Sequence, residues 1–175
     1  MAELVNRMDN RISVPVNTDW SAIWGGLFIF AALWSVFGLL GYAIFSRAGV
    51  TGMNVGLAIW DIILTAVAMF VAGHGTARVA VVDNRFDGPW HGMIVFGLSV
   101  TAALVLMFAG NALFAGVGTV NPLAHRFYLT LFAGNGWAAF IGLFLGWLGA
   151  IVGASSGAAR KLEQGSNLRN IRPAA

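Results

Sequence analysis

The chain has 175 residues, of which 58% are hydrophobic and 10% charged, with a mean hydropathy of +0.78 and 23 glycines. A soluble domain carries about 25% charged residues, so a mainly water-facing surface is excluded. The absence of cysteine excludes disulfides, thiolate metal sites and thiol nucleophiles, and the net charge of +3 comes from basic residues scattered singly, which argues against a nucleic-acid partner.

Residues 1–19 are polar and mixed in charge, and the apolar run that follows is too long for a signal-peptide core. They are expected to form a tail and not a cleaved leader. Four apolar runs come next, over 20–45, 54 to about 80, about 90 to 116, and 127 to about 159. Each can cross a hydrocarbon layer of about 30 Å at about 1.5 Å per residue. An open sheet would leave backbone groups unpaired in lipid, so all four read as helices. Thr18 and Asp19 stand where the first needs an N-cap.

The links at 46–53, 81–89 and 117–126 are short, and Asp87-Gly88-Pro89 and Asn121-Pro122 are turn chemistry. Sequential helices are then antiparallel neighbours. The expected fold is all-α, a four-helix transmembrane up-down bundle over 20–159. A cytoplasmic tail over 1–19 and a basic one over 160–175 flank it, the latter too short and polar to fold alone. Arg7, Arg11, Arg78, Arg85, Arg160, Lys161, Arg169 and Arg172 fall on one side, against Arg47 and Arg126 on the other. That asymmetry places both termini in the cytoplasm. On that side Arg78, Arg85, Arg160 and Lys161 are candidates for contact with anionic lipid or a partner.

The second run carries a stripe of small or polar residues at helical spacing: Asn54, Ala58, Asp61, Thr65, Ala68, Ala72, Gly75. Ile59, Ile62, Ile63, Val67 and Phe70 fill the rest of its circumference, the reverse of a soluble helix. Shifted by 81 residues the stripe becomes Asn135, Ala139, Gly142, Gly146, Gly149, Gly153, Ser156. Gly41-Tyr-Ala-Ile-Phe45 also matches Gly110-Asn-Ala-Leu-Phe114, and Gly26-Leu27 matches Gly97-Leu98. A tandem repeat of one helical hairpin explains these matches. Since lipid gives helices no hydrophobic drive to associate, the small faces are expected to pack on one another. Gly142, Gly146, Gly149 and Gly153 would meet the second helix's stripe, with contact to another chain as the competing use.

Asp61 lies within a span, where an ionised carboxylate costs about 2.5–3.5 kcal/mol on insertion scales. With Asn111, Asn135 and Tyr42 it is expected to form a polar layer. That layer is either a proton or cation site, or a device fixing helix register; with one acid and no base, register is preferred. His74 and His91 could face a haem iron as axial ligands. Their interfacial positions would leave the porphyrin exposed, so no haem is expected and bound lipid is. No cluster supplies the three or four ligands of a zinc site. Asp83 to Gly88 fails as a calcium loop because Arg85 holds a ligand position and Ile94 that of the bidentate Glu.

Asp19-Trp20-Ser-Ala-Ile23, Ile59-Trp-Asp-Ile62, Val71-Ala-Gly-His-Gly75 and Asp87-Gly-Pro-Trp-His-Gly92 resemble the small four-span inner-membrane proteins of proteobacteria. The resemblance implies a bacterial inner-membrane protein and no particular site. The function expected from these features is non-catalytic: an accessory or structural subunit packing against itself or a larger membrane complex. A small transporter or channel using Asp61 is the alternative, ahead of a haem-bearing electron carrier.

Overall fold

The computed structural model describes residues 18–45, 55–82, 86–114 and 136–171. Among them the fold is all-helical, with α1 Trp20–Phe45, α2 Val55–Val79, α3 Asp87–Phe114 and α4 Gly136–Ile171. All four are long and apolar enough to cross a membrane. This is the architecture of a multi-pass integral membrane protein. Asn54, Arg85 and Asn135, and the side chain of Asn111, lie outside the described residues.

α4 differs most from its expected extent. Its 36 residues make a rod of about 54 Å at about 1.5 Å per residue, well beyond the hydrocarbon thickness. The basic tail therefore does not stand apart from the bundle but continues its last helix to Ile171. Once a helix is nucleated, each added residue costs little, and no proline follows Arg160 until Pro173.

The packing is inside-out relative to a soluble bundle. The buried clusters are built largely of alanine: Ala22, Ala77, Ala80, Ala154 and Ala158 with Val82 form one, and Ala72 with Ile23 and Val95 another. Large side chains such as Phe28, Ile59, Ile63, Val67, Phe140 and Val152 face outward, where lipid tails solvate them.

Neighbours follow from where backbones approach. α1 runs antiparallel to α2, with Gly26 against Ala72 and Thr76 and Gly41 beneath the Trp60 indole. That indole also donates to the Phe37 carbonyl at 3.0 Å. α3 runs antiparallel to α4, with Gly88 on Ala154 and Gly92 on Ala150. The most extensive interface joins α2 to α4, which run parallel, while α1 and α4 barely touch. Going round the bundle, the order is α1, α2, α4, α3.

The α4 stripe faces α2. A methyl added at Gly149 would sit 2.6 Å from the Ala66 carbonyl oxygen, and one at Gly157 2.6 Å from that of His74. At Gly153 it would collide with the Phe70 carbonyl. The face that α2 offers in return coincides with its small stripe only at Thr65, which meets Gly146. Ala66, Phe70 and Gly73 meet α4, whereas Ala72 packs with Ile23 and Val95 on the α1–α3 side. The carbonyls need only a glycine opposite them, so bulky Phe70 can stand in this interface with its ring outside. Gly26 and Gly97, equated by the repeat, also differ: Gly26 is packed while Gly97 meets open space.

Gly153→Ala is expected to lower the thermal midpoint in detergent, since overpacking of this kind costs about 1–3 kcal/mol. Gly25→Ala, where a methyl meets nothing within 4 Å, should leave the midpoint unchanged or raise it, alanine being the better helix former by about 1 kcal/mol. Equal effects at the two positions would contradict the packing described.

Candidate functional site

Polar side chains gather at two places. The first is the end of the bundle where α1 and α3 begin. Asp19 caps α1: its Oδ1 accepts from the Ser21 amide at 3.1 Å, the Ser21 hydroxyl at 2.6 Å and the Ala22 amide at 3.2 Å. The backbone N–H of Asp19 donates to His91 Nε2 at 3.1 Å. Because Nε2 is the acceptor there, the ring proton sits on Nδ1 and is donated to the Asp87 carbonyl at 2.6 Å. The Trp90 indole reaches the Thr18 hydroxyl at 3.4 Å. Across the end, the Lys161 ammonium donates to the Ala80 carbonyl and so covers an orphan acceptor just past α2.

This knot ties all four helices and uses its polar groups in doing so. Lys161, expected at lipid or a partner, is occupied within the chain, while Arg78 and Arg160 are exposed. The Asp19 carboxyl is held below its usual range by the Ser21 hydroxyl first and the Ala22 amide next, opposed by desolvation and helped to a lesser extent by the amides of Val81 and Ser21.

The histidines are not arranged for haem. His91 is 0% exposed and both its ring nitrogens have protein partners. His74 Nδ1 lies 2.9 Å from the Ser156 hydroxyl, which itself donates to the Gly153 carbonyl at 2.7 Å. His74 thus bridges α2 to α4. Among the described residues no group of three or more His, Asp or Glu is placed to hold a metal ion.

The second place is a cleft of about 60 Å³ between the helices, reached by Asp61, Thr65 and Met69 of α2 and Ser99 of α3. Phe30 and Trp34 of α1 and Phe96 of α3 supply aromatic walls, and Ala139 and Gly142 of α4 complete it. Asp61 is 4% exposed and Ser99 2%. The Thr65 hydroxyl donates to the Asp61 carbonyl at 2.7 Å, which leaves its oxygen lone pairs able to accept. The Ser99 hydroxyl is buried with no hydrogen-bond partner among the described residues. Such a group costs about 1–3 kcal/mol unless something in the cleft satisfies it.

The cleft exists because α2 and α4 separate towards this end. A methyl at Gly149 would meet α2 backbone at 2.6 Å, but one at Gly146 meets the Thr65 side chain at 3.1 Å and one at Gly142 meets Ile62 at 3.5 Å. Backbone contact has given way to side-chain contact, and space opens between them. Tyr42, assigned to this polar layer from the sequence, is exposed on α1, and Ala58 is half-buried. Ser99 of α3 lines the cleft as well, a residue the sequence reading did not single out. Sequence offered one faint signal for it, a lone serine between Leu98 and Val100 in an otherwise apolar stretch. α3 is apolar all round, so no face could be chosen for it.

Comparison of the chain with protein-family models, with curated proteins and with solved structures gives no match.

A carboxyl whose folded pKa lies below its unfolded value, about 3.9 for Asp, stabilises the fold fully above that value and less as pH falls through the folded one. The wild-type thermal midpoint should therefore drop on acidification below about pH 5 more steeply than that of Asp19→Asn, which keeps a cap without the titration. Parallel pH profiles would show that the Asp19 charge contributes nothing.

Proposed function

We propose that this chain is a non-catalytic protein of the bacterial inner membrane, with both termini cytoplasmic, that serves as an accessory subunit. It packs against a second copy or a larger membrane complex. The observation that carries this reading is the distribution of small residues once the bundle is assembled. α2 and α4 use their glycines on each other, yet Gly25 of α1 and Gly97 of α3 remain outward with open space where a side chain would be. In lipid, a bare backbone position of this kind is where another helix approaches closely. The polar end supports the reading too, since its described groups hold helix ends together. On this reading the partners are membrane proteins and lipid.

Extraction in mild detergent should give a species well above the 18.5 kDa of one chain plus its micelle. Gly25→Leu or Gly97→Leu should reduce that association without lowering the thermal midpoint. A lone monomer under every mild condition, native membrane included, would remove the proposal.

A second reading is favoured by the cleft: a small transporter or channel for protons or cations with Asp61 as the exchanging group. Intramembrane carboxyls facing a cavity are the usual carriers of such chemistry. In proteoliposomes, Asp61→Asn is expected to abolish proton or cation flux while keeping the helical signal and a cooperative melt. Flux that is absent in wild type, or the same in both, would remove this reading.

A further inference from the structure

The cleft holds a carboxyl, an unsatisfied hydroxyl and aromatic walls, and together these select a ligand class. Its volume of about 60 Å³ accommodates roughly four to six water-sized atoms, at about 10–15 Å³ each. The occupant is therefore small. Its polar lining residues are Asp61 and Thr65 of α2 and Ser99 of α3, whose hydroxyl has no protein partner among the described residues. The remaining walls include Phe30, Trp34 and Phe96, whose ring faces carry negative quadrupole density that attracts cations.

Three ligand classes can be compared on this donor set. A dehydrated calcium ion needs about six to eight oxygen ligands and a zinc ion about four, mostly nitrogen or sulfur, which one carboxyl and two hydroxyls do not provide. A neutral hydrocarbon would fill the apolar part and leave Ser99 unsatisfied. A primary alkylammonium ion meets both halves. Its ammonium has three N–H donors, as lysine does, for Asp61, Ser99 and Thr65, and its short chain lies on the aromatic rings.

We propose that the cleft between Asp61, Thr65 and Ser99 is a binding site for a small primary alkylammonium ion. The site is the one used in the second reading above, but the inference rests on binding alone and does not require transport. Equilibrium binding in micelles can succeed where flux fails, and proton flux can occur where no amine binds.

The test uses the full chain in detergent micelles with n-propylammonium chloride as the probe, titrated by calorimetry. Sodium chloride serves as inorganic competitor and 1-propanol as the uncharged counterpart. Wild type should bind propylammonium saturably, with 1-propanol at least tenfold weaker and sodium unable to displace it at equal concentration. Asp61→Asn should weaken binding tenfold or more, and Ser99→Ala severalfold. The thermal midpoint of Ser99→Ala without ligand should stay level or rise, because a hydroxyl with no partner is removed.

The proposal is overturned if folded wild type shows no saturable binding, or if 1-propanol binds as well as the amine. Displacement by equimolar sodium, or affinity unchanged in both variants, overturns it too. Should Asp61→Asn not fold, the Ser99→Ala affinity and the two wild-type competitions decide the matter. Asp61-dependent proton flux without amine binding would reject the ligand class and leave the second reading standing.

Discussion

The bundle depends on carbonyl oxygens of α2 meeting glycine backbone on α4. Ala66, Phe70 and His74 present their carbonyls one helical turn apart, and Gly149, Gly153 and Gly157 stand opposite them at the same spacing. Two parallel helices can hold that match because both advance in the same sense along the contact. Gly73 adds a reciprocal approach to the Ala150 carbonyl. In lipid the hydrophobic effect does not distinguish a tail from a leucine, so dispersion and weak polar contact have to hold helices together. Glycine Cα–H groups directed at carbonyls contribute about 0.5–1 kcal/mol each, and only where no Cβ intervenes.

This spine decides where the other two helices go. α1 lies along α2 through Gly26 and Gly41, and α3 lies along α4 through Gly88 and Gly92. Each junction has a glycine on one helix and backbone, alanine or the Trp60 indole on the other. The core is consequently rich in alanine, with a few large side chains such as Ile23 and Met69 in it, and most large side chains are left for lipid. Where glycine-to-carbonyl contact ends, between Gly149 and Gly142, the spine parts and the cleft begins. Close packing and the cavity are two ends of one interface.

The two ends also differ in how polar groups are treated. At the α1 and α3 starts, Asp19, His91, Trp90 and Lys161 all have partners and bind helix ends to one another. Ser99 in the cleft has none among the described residues. Polar groups that complete each other make a clamp, whereas the Ser99 hydroxyl lines a cleft that Asp61 also lines. Lys161 and Asp19, although charged, are used within the clamp.

Sequence by itself determined the solvent of this protein and the number of its spans. Composition, run length and backbone hydrogen bonding in lipid permit little else, and α1 even begins and ends where its pattern does. It also pointed to the glycine face of α4, because a glycine every three or four residues has no equal as a route to close approach. What it could not provide was the angular position of each partner. α2 is small on one face and, apart from Thr65, meets α4 mainly with another, since a carbonyl contact is blind to the side chain on the same residue, Phe70 included. Tyr42 turned outward and Ser99 inward for the same reason: on helices apolar all round, only the packing of the other three assigns a face. The role of His91 likewise required tertiary structure, because its partner Asp19 lies 72 residues away and is brought to it only when α1 and α3 start side by side.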